Sequence, residues 1–353
     1  MRQSLAFASM ALWLTLVQGC GGGADTGGGA VPSSTTNERA PSRVHLVGFD
    51  VSEPLLNALR SRKLSGVIVQ DPFAMGELGV KTLVDHLEGK KVEASCDTGE
   101  TLVTPDNLND PKVATLLKPP KTANANDSPS GAKKKKWKLF VIPKGTTHEF
   151  WQTIHAGALK AANDLGNVEI VWQGPEKEDD RVQQIQLVQT AAASGVDGIV
   201  LAPLDSKALV KPVEEAIAKN IPVVIIDSGL ESKKPISHIA TNNFNGGVMA
   251  ARRLGELLNG EGKIILLRYA VGSESTEQRE RGFTETIAKE FPNITYLSKM
   301  EYAGATPDSA QQKSQSLISQ FRGKLNGVFC PNESSTLGML RALDAAGMLS
   351  GGP

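Results

Sequence analysis

Short apolar runs alternate with amphipathic stretches along nearly the whole chain, and this alternation restricts the fold more than any other feature of the sequence. Val44–Phe49, Gly66–Val69, Leu139–Pro143, Val168–Trp172, Gly198–Ala202 and Pro222–Asp227 read as strands. So do His238–Thr241, Lys263–Arg268, Ile294–Tyr302 and Gly327–Cys330. Most are apolar throughout, which marks strands covered on both faces, as parallel strands between helices are. Helical periodicity fills the gaps, as over Glu53–Arg62, Ala74–Leu87, Glu149–Leu165, Arg181–Ser194, Thr276–Glu290 and Ser335–Ala346. Val92 to Asn107 is more irregular, with at least one strand. The pattern predicts an α/β fold with mainly parallel sheets. At roughly 100–200 residues per domain, a chain of 353 residues has room for two such sheets.

The composition excludes several functions. Lys+Arg and Asp+Glu both number 38, so the formal net charge is zero. Proteins built to grip nucleic acid are usually basic, so no nucleic-acid partner is expected. Three cysteines (Cys20, Cys96, Cys330) form no CxxC and no disulfide scaffold. The five histidines have no metal-ligand spacing, and no metal or other cofactor is expected.

Two segments stand apart from the fold. Arg2 followed by the apolar run Leu5–Val17 reads as a secretory signal, too short to span a bilayer. The sequence Val17-Gln18-Gly19-Cys20 resembles a bacterial lipobox, which makes residues 1–20 a lipoprotein signal peptide and Cys20 the lipid attachment site. Acylation would tether the protein to a membrane face without a transmembrane helix. Residues 21–42 are rich in Gly, Ser and Thr and read as a flexible stalk. Residues 119–136 (PPKTANANDSPSGAKKKK) have no apolar periodicity and read as a linker.

In open parallel sheets ligands sit beyond the carboxyl ends of the strands. The residues there are Phe49-Asp50, Gln70-Asp71-Pro72, Lys144 to Trp151, Asp227, Thr241-Asn242-Asn243, Ser273 to Arg281 and Pro331-Asn332-Glu333. They include no GxSxG elbow, no P-loop and no GxGxxG. Asp, Asn, Gln and Arg beside aromatics suit a neutral polyhydroxylated ligand, because carboxylates accept hydroxyl hydrogen bonds and Arg donates several. Aromatic faces cover the C–H side of a sugar ring. Asp50 and Asp227 could also serve merely as caps.

Several segments together resemble the periplasmic sugar-binding proteins of ABC transporters, type I, ribose-binding group. They are PKGTTHEFWQ, PVVIIDSG with SHIATNNFNGG, STEQRERGF, VFCPNESSTLGMLRAL, LVGFD and VIVQDPFAMGELGVKTL. The resemblance implies a two-lobed fold, each lobe a mainly parallel sheet flanked by helices. It implies ligand contacts from His148, Phe150, Trp151, Asp227, Arg281, Asn332, Phe49, Asp50 and Gln70. It also implies delivery of a monosaccharide, ribose-like or related, to an ABC transporter permease from a periplasmic or cell-surface site, by a monomer that closes about a hinge and catalyses nothing. Two positions depart from the ribose pattern. His148 stands where Asn is usual, and Ser228 where Arg follows the Asp. A sensor domain feeding a receptor kinase or chemoreceptor is an alternative. So is a glycoside-processing enzyme using Asp50 and Asp227 as an acid/base pair.

The order of the segments is also unusual. In the family LVGFD and VIVQDP follow the NESSTLGMLRAL helix, whereas here they precede everything else. Joining Pro353 to Ser42 would restore an ordinary helix-loop-strand, so the chain resembles a circular permutant closed by the linker. Eighteen linker residues reach at most about 60 Å and average roughly 24 Å when flexible. On this reading 43–70 belongs to lobe two, 71–99 to lobe one, 100–118 to lobe two, 137–241 to lobe one and 242–353 to lobe two.

Overall fold

The computed structural model describes residues 43–117 and 135–349. The leader with Cys20, the stalk, and the linker apart from Lys135 and Lys136 lie outside the described residues. The chain opens with β1 (His45–Phe49), α1 (Glu53–Arg60), β2 (Gly66–Gln70), α2 (Pro72–Leu87), β3 (Ser95–Asp97), β4 (Glu100–Val103) and α3 (Pro111–Leu116). After the linker come β5 (Trp137–Ile142), α4 (Glu149–Leu165), β6 (Val168–Trp172), α5 (Arg181–Ala193), β7 (Gly198–Leu201) and α6 (Val210–Ala218). Next are β8 (Val223–Ile226), β9 (Ser237–Ala240), α7 (Asn243–Leu257), β10 (Glu261–Leu266) and α8 (Glu274–Glu290). The last are β11 (Asn293–Ser298), α9 (Pro307–Gln320), β12 (Gly327–Phe329) and α10 (Glu333–Ala345).

The strands form two six-stranded sheets, ordered β11-β10-β12-β1-β2-β4 and β3-β9-β8-β7-β5-β6. All pairings are parallel except β2 with β4. The irregular stretch before the linker thus holds two strands, one at the edge of each sheet. Their short polar sequences carry no apolar run to announce them. The α/β, parallel-rich fold class is as the alternation implies.

Each sheet buries both faces. In the first, Leu46 and Val67 pack under α1 and α10, while Val47, Phe49 and Ile68 pack under α7 and α8. In the second, Val141 and Val200 face α2 and α4, while Ile142, Ile199 and Ile225 face α5 and α6. Successive strand residues point to opposite faces, so apolar runs without alternation follow directly from helices on both sides. Each fully buried aliphatic contributes about 1.5–3 kcal/mol. Both sheets turn the carboxyl ends of their strands toward one shared cavity, lined from both by Asp50, Lys144, Asp227 and Arg279 among others.

Candidate functional site

The cavity is lined from the carboxyl ends of strands and from the loops and first helical turns that follow them. β1 delivers Asp50 and β8 delivers Asp227, and both have a left-handed backbone, with φ of 63° and 64°. Non-glycine residues rarely adopt this conformation, though Asp tolerates it better than most. Each is held there by the neighbouring strand. The Asp50 amide donates to Ile68 (2.8 Å) and the Asp227 amide to Ile239 (3.0 Å). The sharp turn directs each carboxylate off its sheet and into the cavity. Such strain concentrates where function requires it.

On the side of the first sheet, Gln70 Nε2 donates to Asp50 Oδ1 at 2.7 Å. Arg279, one turn into α8, has its Nη1 3.8 Å from Asp50 Oδ2. Its Nε donates to Asn243 Oδ1 (2.8 Å) and its Nη1 to the Pro331 carbonyl (2.9 Å). Its guanidinium carbon lies over the Phe49 ring, 3.8 Å from the centroid. Burial pushes the Asp50 carboxyl up to about 6, against the pull of Arg279 and Gln70. Asn332 caps α10 in a capping box with Ser335 and also faces the cavity. Glu333 follows it as the first residue of that helix.

On the side of the second sheet, Glu178 gathers three donors. Trp151 Nε1 donates to it at 2.5 Å, His148 Nδ1 lies 2.7 Å away, and the Tyr269 hydroxyl donates to its other oxygen. Burial alone would raise the Glu178 carboxyl, yet these bonds and the His148 charge hold it down at about 2. Burial likewise opposes the His148 charge, but Glu178 overrides it and raises the imidazolium to about 9. Trp151 packs in the core beneath, edge-on to Phe150 with centroids 4.9 Å apart. Lys144 lies 2.9 Å from Asp227 Oδ2 as an ion pair that leaves this oxygen without an aligned hydrogen bond.

Several bonds join the two halves across the cavity. Lys144 donates to Ser273 Oγ (3.4 Å) and Ser275 Oγ (3.2 Å) at the start of α8. The Ser275 amide donates to Ser228 Oγ (3.1 Å), and the Gly229 amide to Glu274 Oε2 (2.9 Å). Counting its open mouth, the space between the halves is ≈ 340 Å³.

Of the residues that the sequence suggests for the site, Asp50, Gln70, His148, Phe150, Trp151, Asp227 and Asn332 line this cavity. Two do not. Phe49 is wholly buried in the core and acts from below, as the platform for Arg279. Arg281 must be corrected. Its side chain is 58% exposed, pairs with Glu285 and leans over Phe244, and the cavity arginine is Arg279. Two residues along a helix is about 200° of rotation, so Arg279 and Arg281 face opposite ways. Lys144 and Glu333 stand among the strand-end residues named from the sequence, though not among the ligand contacts the resemblance implies, and no motif marks Glu178 or Tyr269. The cation absent at Ser228 is supplied beside Asp227 by Lys144. Among the described residues no group of three or more His, Cys, Asp or Glu is placed to hold a metal, and no helix is long and apolar enough to cross a membrane.

Comparison with known proteins adds to this geometry. The periplasmic binding protein domain matches residues 139–353. The xylitol-binding protein of Mycolicibacterium smegmatis is 29% identical over 181 residues, which are 51% of this chain and 51% of that protein. The ribose import binding protein of Haemophilus influenzae is 26% identical over 197 residues, 56% of this chain and 65% of that protein. The chain thus spans about half the length of the first relative and just under two thirds of the second. A crystal structure of an ABC transporter solute-binding protein from Agrobacterium vitis with bound D-fucose superimposes with a TM-score of 0.58 at 33% identity. The match covers 60% of this chain and 73% of that one.

Proposed function

The chain belongs to the periplasmic binding protein domain family, and from that premise we propose that it binds a monosaccharide in the cavity between its two sheets and hands it to an ABC transporter permease. The observation that carries the reading is the pair Asp50 and Asp227, each in a left-handed turn at the end of a parallel strand, one from each sheet, facing a single cavity. Their carboxylates would accept ligand hydroxyls from opposite sides. Arg279, Gln70 and Asn332 would donate, and Trp151 with Phe150 would cover the apolar ring face. A charge-assisted bond contributes about 1.5–3 kcal/mol, so a few of them with stacking suffice for micromolar affinity, about −8 kcal/mol. A ligand touching both halves favours their closed arrangement, because only that arrangement offers every contact. Binding without chemistry is the proposed role. A pentose or closely related sugar or polyol is supported by the relatives named above.

The proposal includes anchoring through lipid on Cys20, a periplasmic or cell-surface location, a monomeric chain and the circularly permuted order. The permuted order is supported by the sheet itself. β1 lies between β12 and β2 in parallel register, although the whole second series of elements separates it in sequence from β12. The Val44 amide donates to the Met348 carbonyl at 3.0 Å, which is the local contact expected of a helix-loop-strand at that point. The lobe assignments given from sequence remain part of this proposal.

The test is calorimetric titration of the chain from Gly21 onward, unfolded and refolded to strip bound ligand. Ribose, other pentoses, hexoses, inositols and xylitol are the titrants, with Asp227→Ala as control. Saturable heat with one of them, lost in the variant, is the expected result. A folded protein giving no heat with any of them would overturn the reading.

A further inference from the structure

Four carboxylates and three cations line the cavity, and the cations are already assigned one to one. Lys144 takes Asp227 at 2.9 Å, His148 takes Glu178 at 2.7 Å, and Arg279 stands 3.8 Å from Asp50. Glu333 is left over. It is 8% exposed, it makes no ion pair and no side-chain hydrogen bond among the described residues, and its Oε2 is buried without any partner. It opens α10 directly after Asn332, on the cavity wall. The helix N-terminus favours its ionised form, but desolvation acts strongly the other way.

A buried acceptor without a partner costs the protein its full desolvation. Natural interiors retain such groups where something else completes them. The charges that act most strongly on Glu333 are His148 and Glu149 from the start of α4, Asp50 from the end of β1, and Glu178 from the loop after β6. Three of these four are acidic, and the one cation, His148, is bonded to Glu178. No side chain of the wall is placed to bond Glu333 Oε2, which leaves that oxygen for a ligand to complete.

We propose that Glu333 is a specificity residue that receives a cationic nitrogen of the ligand, so that the preferred ligand is a small polyhydroxylated molecule bearing one basic nitrogen, an amino sugar or imino sugar, rather than a neutral sugar. This rests on the sugar-binding reading above and narrows it. The charge count supports it. With one ligand cation the cavity holds four acids and four bases, whereas a neutral sugar leaves Glu333 to hold a proton. Its carboxyl is pushed up to about 8 by burial, against the pull of His148 and with the push of Asp50, Glu178 and Glu149, so it holds that proton in the empty site near neutrality. An ammonium would take the proton's place.

The experiment compares matched probes at pH 7 by calorimetry. The pairs are D-glucose with D-glucosamine, D-galactose with D-galactosamine, and D-ribose with 1,4-dideoxy-1,4-imino-D-ribitol. Wild type and Glu333→Gln are both titrated. The expected result is that at least one amine binds roughly tenfold or more tightly than its neutral counterpart, as one charge-assisted bond provides. Glu333→Gln should reduce that preference to about twofold or less while still binding the neutral member. Tighter binding of every neutral member by wild type overturns the proposal and leaves the sugar-binding reading intact. A preference that survives in Glu333→Gln overturns it too. No binding by any probe removes both readings. The wild-type comparison decides the matter even if the variant fails to fold.

Discussion

At the scale of single residues, the site is organised by two aspartates in a conformation that most side chains avoid. A left-handed backbone costs an ordinary residue about 1–2 kcal/mol, and Asp50 and Asp227 tolerate it because a short polar side chain can. Asp227→Asn should therefore keep the fold, since Asn suits the same turn. It should weaken sugar binding by roughly tenfold or more through the lost charge-assisted bond, as read by calorimetry beside an unchanged circular dichroism spectrum. The two arginines of α8 give a sharper contrast. Arg279→Lys should abolish measurable binding, because Lys cannot hold Asn243, Pro331 and Asp50 together over a ring face. Arg281→Ala should bind as wild type. The motif QRERG shows that an arginine of this helix enters the site but not which one, because the face is decided by how α8 docks on α7.

The buried acids also fix the sign of the pH dependence. His148 (raised from 6.5 to about 9) and Glu333 (raised from 4.5 to about 8) stabilise the ligand-free protein fully only below their unfolded values. They lose that contribution as pH rises through their folded values. Asp50, raised from 3.8 to about 6, acts in the same direction at lower pH. Glu178, lowered from 4.5 to about 2, is the opposite case. Its contribution is present above 4.5 and lost as pH falls toward 2. His45, His155 and His238, lowered by burial, act the other way below 6.5, so scanning calorimetry should find Tm falling between about pH 6.5 and 9, and Glu333→Gln should flatten the part below about pH 8. A Tm that climbs across this range would contradict the assignment of these charges.

At the scale of elements, each half carries a pair of helices in unusually close contact. In one, α2 meets α4 where a methyl on Gly76 would overlap the Ile154 carbonyl and one on Gly157 the Phe73 carbonyl. In the other, α7 meets α8 where a methyl on Gly247 would overlap the Arg279 carbonyl and one on Gly282 the Phe244 carbonyl. The second contact touches the backbone of the cavity arginine itself. Gly247→Ala should destabilise the fold by about 1–3 kcal/mol through overpacking. It should also weaken binding, since α8 can only yield by moving Arg279. Thermal melts and titration of one preparation would separate the two effects. The strands and helices themselves are legible in the sequence because periods of 2 and 3.6 leave different apolar patterns. β3 and β4 are only partly so: the sequence marks at least one strand in Val92–Asn107 but neither its bounds nor the second, for Ser95–Asp97 and Glu100–Val103 lie at sheet edges and most of their side chains are not buried. Glu178 and Tyr269 are silent, because their convergence is made by the meeting of two sheets and no local pattern records it.

At the scale of the whole molecule, the cavity arises where two mainly parallel sheets present the same ends of their strands to each other. The order of the chain does not matter to this arrangement, provided β1 and β2 reach their places beside β12. The permutation proposal makes that concrete. A variant in which residues 43–118 follow residue 353 directly should give the same circular dichroism spectrum and the same sugar preference as the natural order. Loss of both would mean that the natural order is essential. The central claim is that one sugar sits between Asp50 and Asp227. The measurement that tests it most directly is a crystal structure of the refolded protein grown with the tightest-binding probe from the titrations. The account predicts electron density for the ligand against Trp151, with hydroxyls on both carboxylates and on Arg279. Density for the ligand outside this cavity, with Asp50 and Asp227 still bound only to Gln70, Arg279 and Lys144, would contradict it.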